Sequence, residues 1–242
     1  MANVVDERGY NQIFRRTAAQ VIRLRRRAEA ICAEMSLPPT PEARSRIRIL
    51  ELGCGTGELA YHLASLTGAQ VVGIDLSTQF IDKARATHEH ERLTFIVGDL
   101  SRMIPSADFE KYDYIVGNGI LHHLYCDLDS FLPALSRWLA PRGRLIFWEP
   151  NLMNPYVYLI FSFAALRRIA KLEPNEMAFT PRFLRNKLKH AGFERIEITP
   201  RDFLLPNTPD FLIQPTIAAG AVLEKIPLVK SLAQSLFLSA QV

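Results

Sequence analysis

Ile47-Arg48-Ile49-Leu50-Glu51-Leu52 runs directly into Gly53-Cys54-Gly55-Thr56-Gly57, and a second apolar run, Val71-Val72-Gly73-Ile74, ends in Asp75. This order reads as a buried strand, a glycine loop, a helix and a second strand ending in a carboxylate. Glycines let a backbone approach a ligand closely, and one carboxylate can accept from both hydroxyls of a ribose. The pattern suits an adenine nucleoside. The glycine spacing is G-x-G-x-G, whereas dinucleotide-binding loops use G-x-G-x-x-G and rest a pyrophosphate on the following helix. Here Glu58 follows Gly57, and its charge would repel a phosphate at that helix start. A nucleoside without phosphates is expected rather than a nicotinamide dinucleotide.

Further along stand Gly98-Asp99-Leu100, Asn118-Gly119-Ile120-Leu121-His122-His123-Leu124 and Glu149-Pro150-Asn151. Together with the glycine loop and Asp75, the first two of these match the class I S-adenosylmethionine-dependent methyltransferases in type, order and spacing. The chain resembles that family well over residues 46–150 and more loosely over 180–200. The resemblance implies an α/β, Rossmann-like fold of seven strands in the order 3-2-1-4-5-7-6, with strand 7 antiparallel. It also implies S-adenosyl-L-methionine as cofactor. The backbone of Gly53, Cys54, Gly55 and Gly57 would pass under the methionine part, with Glu51 holding the loop or reaching the amino group through water. Asp75 would bind the ribose hydroxyls and Leu76 would pack on the adenine. Asp99 would accept from the exocyclic amine, the Leu100 N–H would donate to the ring, and Asn118 would lie beside the methionine moiety. Tyr10 and Phe14 would close over the pocket.

Methyl transfer from a sulfonium needs nucleophile, carbon and sulfur held in line, and in some cases removal of a proton from the acceptor. His122 and His123 follow strand four, near where the methyl should lie. Imidazole titrates near neutrality, so either can act in acid–base chemistry or orient the acceptor; the plainer reading is a satisfied loop histidine. Glu149 ends strand five and either binds an acceptor hydroxyl or amine or fixes its loop. His122, His123 and Cys126 form H-H-x-x-C, but a fourth ligand at metal spacing is absent and no metal is expected. In place of the N/D-P-P-Y tetrapeptide of many amino-group methylating enzymes stands Asn118-Gly119-Ile120-Leu121, which disfavours N-methylation of planar amines.

The elements that must position these groups alternate. Strands are expected at 47–52, 70–75, 93–97, 112–116, 144–148, 193–199 and 235–240. Helices are expected at 58–67, from Ser77 to about 90, at 128–139 and from Thr180 to Gly192. Near-continuous apolar strands alternating with helices argue a parallel sheet covered on both faces. Ser36-Leu37-Pro38-Pro39-Thr40-Pro41 breaks the chain into an N-terminal segment (1–41) and a methyltransferase domain (42–242). Residues 11–35 carry six arginines against two glutamates, the whole chain's excess of +4. They are expected to form a basic amphipathic helix with Ile13, Phe14, Ala18, Val21, Ile22, Ala28 and Ile31 inward. Its basic face is either simply solvated or turned to an anionic membrane surface. Aromatics are not interleaved with the arginines, so nucleic acid is not expected as a partner.

Two segments, about 151–179 and 201–234, are long and nearly uncharged in part. They are expected to form an apolar cap over the acceptor pocket, core, or an interface in an oligomer or with a partner. The first eight residues carry two acids and no apolar run, and the three cysteines have no regular spacing, so no signal peptide and a cytoplasmic setting are expected. The function expected is methyl transfer to an apolar small-molecule or lipid-like acceptor, with O- or C-methylation favoured. A non-catalytic cofactor-binding scaffold is the alternative, and intact glycines with both acids argue against it.

Overall fold

The computed structural model describes residues 16–100 and 111–242. Tyr10 and Phe14, expected over the cofactor, lie outside the described residues, as does the first part of the expected N-terminal helix. Helix α1 spans Ala18–Glu34. Its start is chemically marked: the Thr17 hydroxyl accepts from the Gln20 N–H (3.1 Å), and the Gln20 side chain accepts from the Thr17 N–H (2.8 Å).

The chain continues through α2 (Pro41–Arg44), β1 (Arg48–Leu52), α3 (Glu58–Thr67), β2 (Gln70–Asp75), α4 (Thr78–Thr87), β3 (Leu93–Val97) and β4 (Tyr112–Asn118). A 3-10 turn (Leu121–Leu124), α5 (Leu128–Trp138) and β5 (Leu139–Pro150) follow, then α6 (Pro155–Ser162), α7 (Ala164–Ile169), α8 (Pro181–His190) and β6 (Glu194–Arg201). The described chain closes with α9 (Asp210–Leu223), α10 (Pro227–Lys230) and β7 (Ser235–Gln241).

The seven strands lie in the order β3-β2-β1-β4-β5-β7-β6. β1 to β5 are mutually parallel, and β7 runs antiparallel between β5 and β6. Alternation along the central strands splits the core between two faces. Leu50, Leu145, Phe147, Leu236 and Leu238 pack on the side of α5 and α8. Ile49, Ile146, Trp148 and Phe237 pack on the other side, with Leu24, Ala28 and Ile31 of α1 and Leu59 and Leu63 of α3. The strand order reverses between β1 and β4, and the crevice outside the strand ends at such a reversal is where open α/β sheets bind ligands.

Two departures from expectation have local causes. β5 begins at Leu139, well before residue 144, because Leu139 already pairs with Tyr112; a register shift then absorbs Pro141-Arg142-Gly143, with Arg142 at φ +67°. The two nearly uncharged segments fold as the helices α6, α7, α9 and α10. The buried face of α1 is Ala19, Arg23, Leu24, Arg27, Ala28 and Ile31, while Ala18 and Val21, both expected inside, are exposed, Val21 at 52%. Two arginines of the expected basic face therefore point into the molecule.

Candidate active site

At the C-terminal ends of β1, β2 and β4 lies a cleft of about 400 Å³. Glu51, Gly53, Cys54, Gly55, Asp75 and Asn118, the residues expected to contact a cofactor, are among those lining it, and Arg16, Arg23, Arg27 and His123 also line it. The loop's glycines divide the work. At Gly55 (φ +54°) an added Cβ would meet nothing within 4 Å, so this backbone is the open floor of the cleft. At Gly57 (φ +86°) it would fall 2.5 Å from Phe95 Cζ, so Gly57 serves packing behind the loop and is not among the residues lining the cleft.

Asp75 is held in place by backbone. Its Oδ2 accepts the Gly55 N–H and its Oδ1 the Ser77 N–H, both at 2.8 Å. Each oxygen keeps a further lone pair, which leaves the carboxylate able to accept from a diol. Burial raises its carboxyl pKa, against the pull of the two N–H bonds. Glu51 is 2% exposed and its Oε2 has no hydrogen-bond partner; burial pushes this acid well above the usual carboxylate range. A buried, unpartnered acid oxygen in the cleft wall fits an amino group that would donate to it. Glu58 faces the same loop but is engaged, accepting from Arg16 Nη2 (2.6 Å) and Thr56 Oγ1 (2.7 Å).

Arg23 and Arg27 form the least anticipated part of the site. Both are buried and point toward Asp202 from β6's end, with Arg23 Nε at 3.2 Å and Arg27 Nη2 at 3.5 Å from its Oδ2. Arg26 Nη1 approaches Oδ1 at 3.3 Å. Burial would raise the Asp202 pKa, but Arg27, Arg23 and Arg26 hold it below the usual range. Arg27 also donates to Asn118 Oδ1 and to Ser235 Oγ, each at 2.5 Å, and lies 4.9 Å over the Trp148 ring. Burial and the neighbouring Arg23 charge push its pKa down to about 9. Two buried guanidiniums face one carboxylate here, so the junction carries an excess positive charge, and Arg27 Nε is buried without a partner. That favours an anionic group of a ligand.

A second cavity, about 410 Å³, adjoins the cleft. The two share Arg23, Arg27, Asn118, Gly119, His123 and Pro206, so one wall serves both. His122, Glu149, Phe161, Lys171 and Glu176 line the second cavity. Glu149 is 1% exposed; its Oε1 accepts from the Ile120 (3.0 Å) and Leu121 (2.8 Å) N–H groups, and its Oε2 lies 3.0 Å from His122 Nδ1. Of its two expected uses, the geometry favours fixing the histidine loop: its oxygens are occupied by that loop. His123 Nδ1 lies 3.0 Å from Glu176 Oε1. Burial disfavours the His123 charge, but Glu176 and Glu149 raise its pKa overall, and His123 holds Glu176 low in return.

Leu76, Asp99 and Leu100 sit at the ends of β2 and β3 and are not among the residues lining the cleft; Leu76 is 41% exposed. The Gly98 N–H donates to the Asp75 carbonyl at 2.9 Å, which ties the two strand ends together. Cys126 does not join the histidine pair; Glu176 does. Arg23, Arg27, Asp202 and Glu176 had no motif to announce them, although Arg23 and Arg27 share a face with Ile31 at four-residue spacing.

A family model described as a methyltransferase domain matches residues 43–197, and the chain belongs to this family. Ubiquinone biosynthesis O-methyltransferase of Roseobacter denitrificans is 30% identical over 162 residues, 65% of this chain and 64% of that protein. Demethylmenaquinone methyltransferase of Chlorobaculum parvum is 30% identical over 179 residues, 67% of this chain and 72% of that protein. The chain thus spans about two thirds of the length of these curated relatives. A SAM-dependent methyltransferase from Archaeoglobus fulgidus shares the fold, with a TM-score of 0.63 at 16% identity, covering 92% of this chain and 94% of that one. The family is that of the methyltransferase domain, and the fold is the one shared with a solved S-adenosylmethionine-dependent methyltransferase.

Proposed function

We propose that this chain methylates an oxygen or carbon of an apolar, quinol-like small molecule seated in the second cavity. The observation that carries the reading is the shared wall, which sets the glycine-loop cleft and the second cavity side by side at Asn118, Gly119 and His123. The names of the two relatives, one in ubiquinone biosynthesis and one acting on demethylmenaquinone, support the acceptor class.

When bound, S-adenosylmethionine supplies a methyl on a sulfonium, whose C–S bond breaks with its electron pair staying on sulfur. Asp75 holds the ribose hydroxyls, Glu51 accepts from the amino group, and the excess charge of Arg23 and Arg27 meets the carboxylate. Asn118, tied to Arg27, keeps that end of the cleft rigid. On the acceptor side His122 and His123 orient the reacting oxygen, and Glu149 positions them through the loop N–H groups.

The acceptor reaches the cavity from a membrane surface in this reading, but not by way of the arginine helix, whose Arg23 and Arg27 are buried. Tyr158, Leu159, Phe163 and Ile169 on and beside α6 and α7, with Phe211 and Leu228 on α9 and α10, are between 46% and 85% exposed. Phe161 of the same α6 faces the acceptor cavity, 6.1 Å from the His122 ring. The Asn151 and Asn154 amides bond the carbonyls of Ser231, Ala233 and Leu232, tying both apolar segments to one end of the molecule. Arg168, Lys225 and Lys230 lie in these same segments and suit an anionic surface. No helix among the described residues is long and apolar enough to cross a membrane.

The test is transfer of labelled methyl from S-adenosylmethionine to a panel of a reduced demethylquinone, a catechol, a fatty acid and a primary amine. Label on the quinol or catechol supports the reading; label only on the amine or the fatty acid contradicts it. Sedimentation with phosphatidylglycerol vesicles should fall in Leu159→Ser/Leu228→Ser, and absence of pelleting by the unaltered protein removes the membrane part.

A further inference from the structure

We infer that His122, His123 and Glu176 form a binding site for one divalent ion of the zinc type on the wall of the second cavity. The inference rests on the reading of that cavity as the acceptor site and deepens it. One ligand atom from each residue lies within 4.8 Å of the others, and both carboxylates of the surroundings are buried, Glu149 at 1% and Glu176 at 4% exposure. Glu176 is 53 residues away in sequence, yet the Met177 N–H donates to the His122 carbonyl at 3.2 Å, fixing this loop against the histidines.

The contact of the His122 ring with Glu149 is the decisive observation. Glu149 Oε1 accepts from two backbone N–H groups, which turns Oε2 to the His122 ring. A ring that donates Nδ1–H to Oε2 across this 3.0 Å contact keeps its lone pair on Nε2. A buried carboxylate behind one ring nitrogen, with the other nitrogen free to ligate, is the arrangement that metal-binding histidines adopt. Two imidazoles and one carboxylate bind zinc at about 2.0–2.2 Å and leave a position open. A tetrahedral site with those bond lengths sets its ligand atoms about 3.3 Å apart; His123 Nδ1 and Glu176 Oε1 already stand at 3.0 Å, and the other separations, within 4.8 Å, close by a side-chain adjustment. The His123 side chain, 46% exposed, has the freedom to make that movement. Glu176 supplies a negative ligand and Glu149 a second negative charge behind His122, in a cavity that the cationic Arg23 and Arg27 also line.

The open position faces the acceptor cavity, where an acceptor hydroxyl would be the added ligand. On such an ion the O–H bond breaks more readily, its proton passing to water. The oxygen keeps the electron pair that forms the new bond to carbon, as the C–S pair stays on sulfur.

The protein stripped with a chelator should take up one zinc ion per chain in equilibrium dialysis and show d–d absorption with cobalt(II). Binding should weaken at least tenfold in His123→Ala and in Glu176→Gln, and about 10–100-fold in Glu149→Gln, which keeps the ligands but loses their support. Cys126→Ser should bind as the unaltered chain does. No stoichiometric zinc, or zinc retained in both His123→Ala and Glu176→Gln, overturns the inference. Calorimetry with S-adenosylhomocysteine on the same samples separates the two readings. Intact nucleoside binding and quinol methylation without zinc remove the ion alone, and zinc uptake with no nucleoside binding removes the methyltransferase reading.

Discussion

Replacing Asp202 by Asn should expose how much of the fold depends on neutralising its own arginines. Asp202 sits at φ +72°, a conformation that Asn adopts at least as readily, so the substitution removes charge without straining the backbone. Its side chain is 6% exposed, against 8% for Arg23, 10% for Arg27 and 38% for Arg26. At an effective dielectric of about 20, a pair about 3.3 Å apart interacts by roughly 5 kcal/mol before desolvation is counted. Removing one partner of a buried pair costs about 3–5 kcal/mol in practice, and the exposed Arg26 adds little. We therefore expect urea unfolding at pH 7 to show a loss of about 3–5 kcal/mol with an unchanged m-value. The sign of the pH dependence follows from the depressed Asp202 pKa. Its contribution is present above the unfolded value near 3.8 and is lost as pH falls through the lower folded value. The two stability curves should converge in strong acid. A loss under about 1 kcal/mol at pH 7, or a gap that persists unchanged to pH 2, would refute the reasoning.

Gly57→Ala should lose about 2–4 kcal/mol of stability, since a positive φ and a 2.5 Å approach to Phe95 act together, while Gly55→Ala loses about 1–2 kcal/mol and mainly blocks nucleoside binding. Urea unfolding beside calorimetry distinguishes these. Arg27→Met should weaken S-adenosylhomocysteine binding about 10–150-fold, the range for a hydrogen bond to a charged group, whereas Arg25→Ala, with a side chain 72% exposed, should leave the affinity unchanged. Because the His123 pKa is raised, its pairing with Glu176 stabilises fully below about pH 6.5 and fades as pH rises through the folded value. In metal-free protein the melting-temperature gap between the native chain and Glu176→Gln should therefore be larger at pH 6 than at pH 9.

The strand, glycine loop and Asp75 were legible because each signal is local: an apolar run, a set of positive-φ glycines and a strand-end acid within thirty residues. The seven-strand order followed from the resemblance and agrees with the observed topology. Arg23 and Arg27 were assigned to a solvated or lipid-facing surface because charge was weighed above position. Their four-residue spacing with Ile31 places them on the buried stripe, and the carboxylate that permits this, Asp202, is 175 residues from Arg27. Glu176 was invisible for the same reason: it lies in an irregular stretch, and only the fold brings it to His123. β5 was cut short because Pro141 and Gly143 read as a stop, whereas the register shift opposite Tyr112 and Tyr114 accommodates them.

Titration of S-adenosylhomocysteine into the purified chain, beside Asp75→Ala, tests the central claim most directly. The account predicts one site per chain and a loss of about 1.5–3 kcal/mol on removing the carboxylate, with the far-ultraviolet circular dichroism unchanged. Equal affinity in the two proteins, or no binding by the unaltered chain, would contradict it.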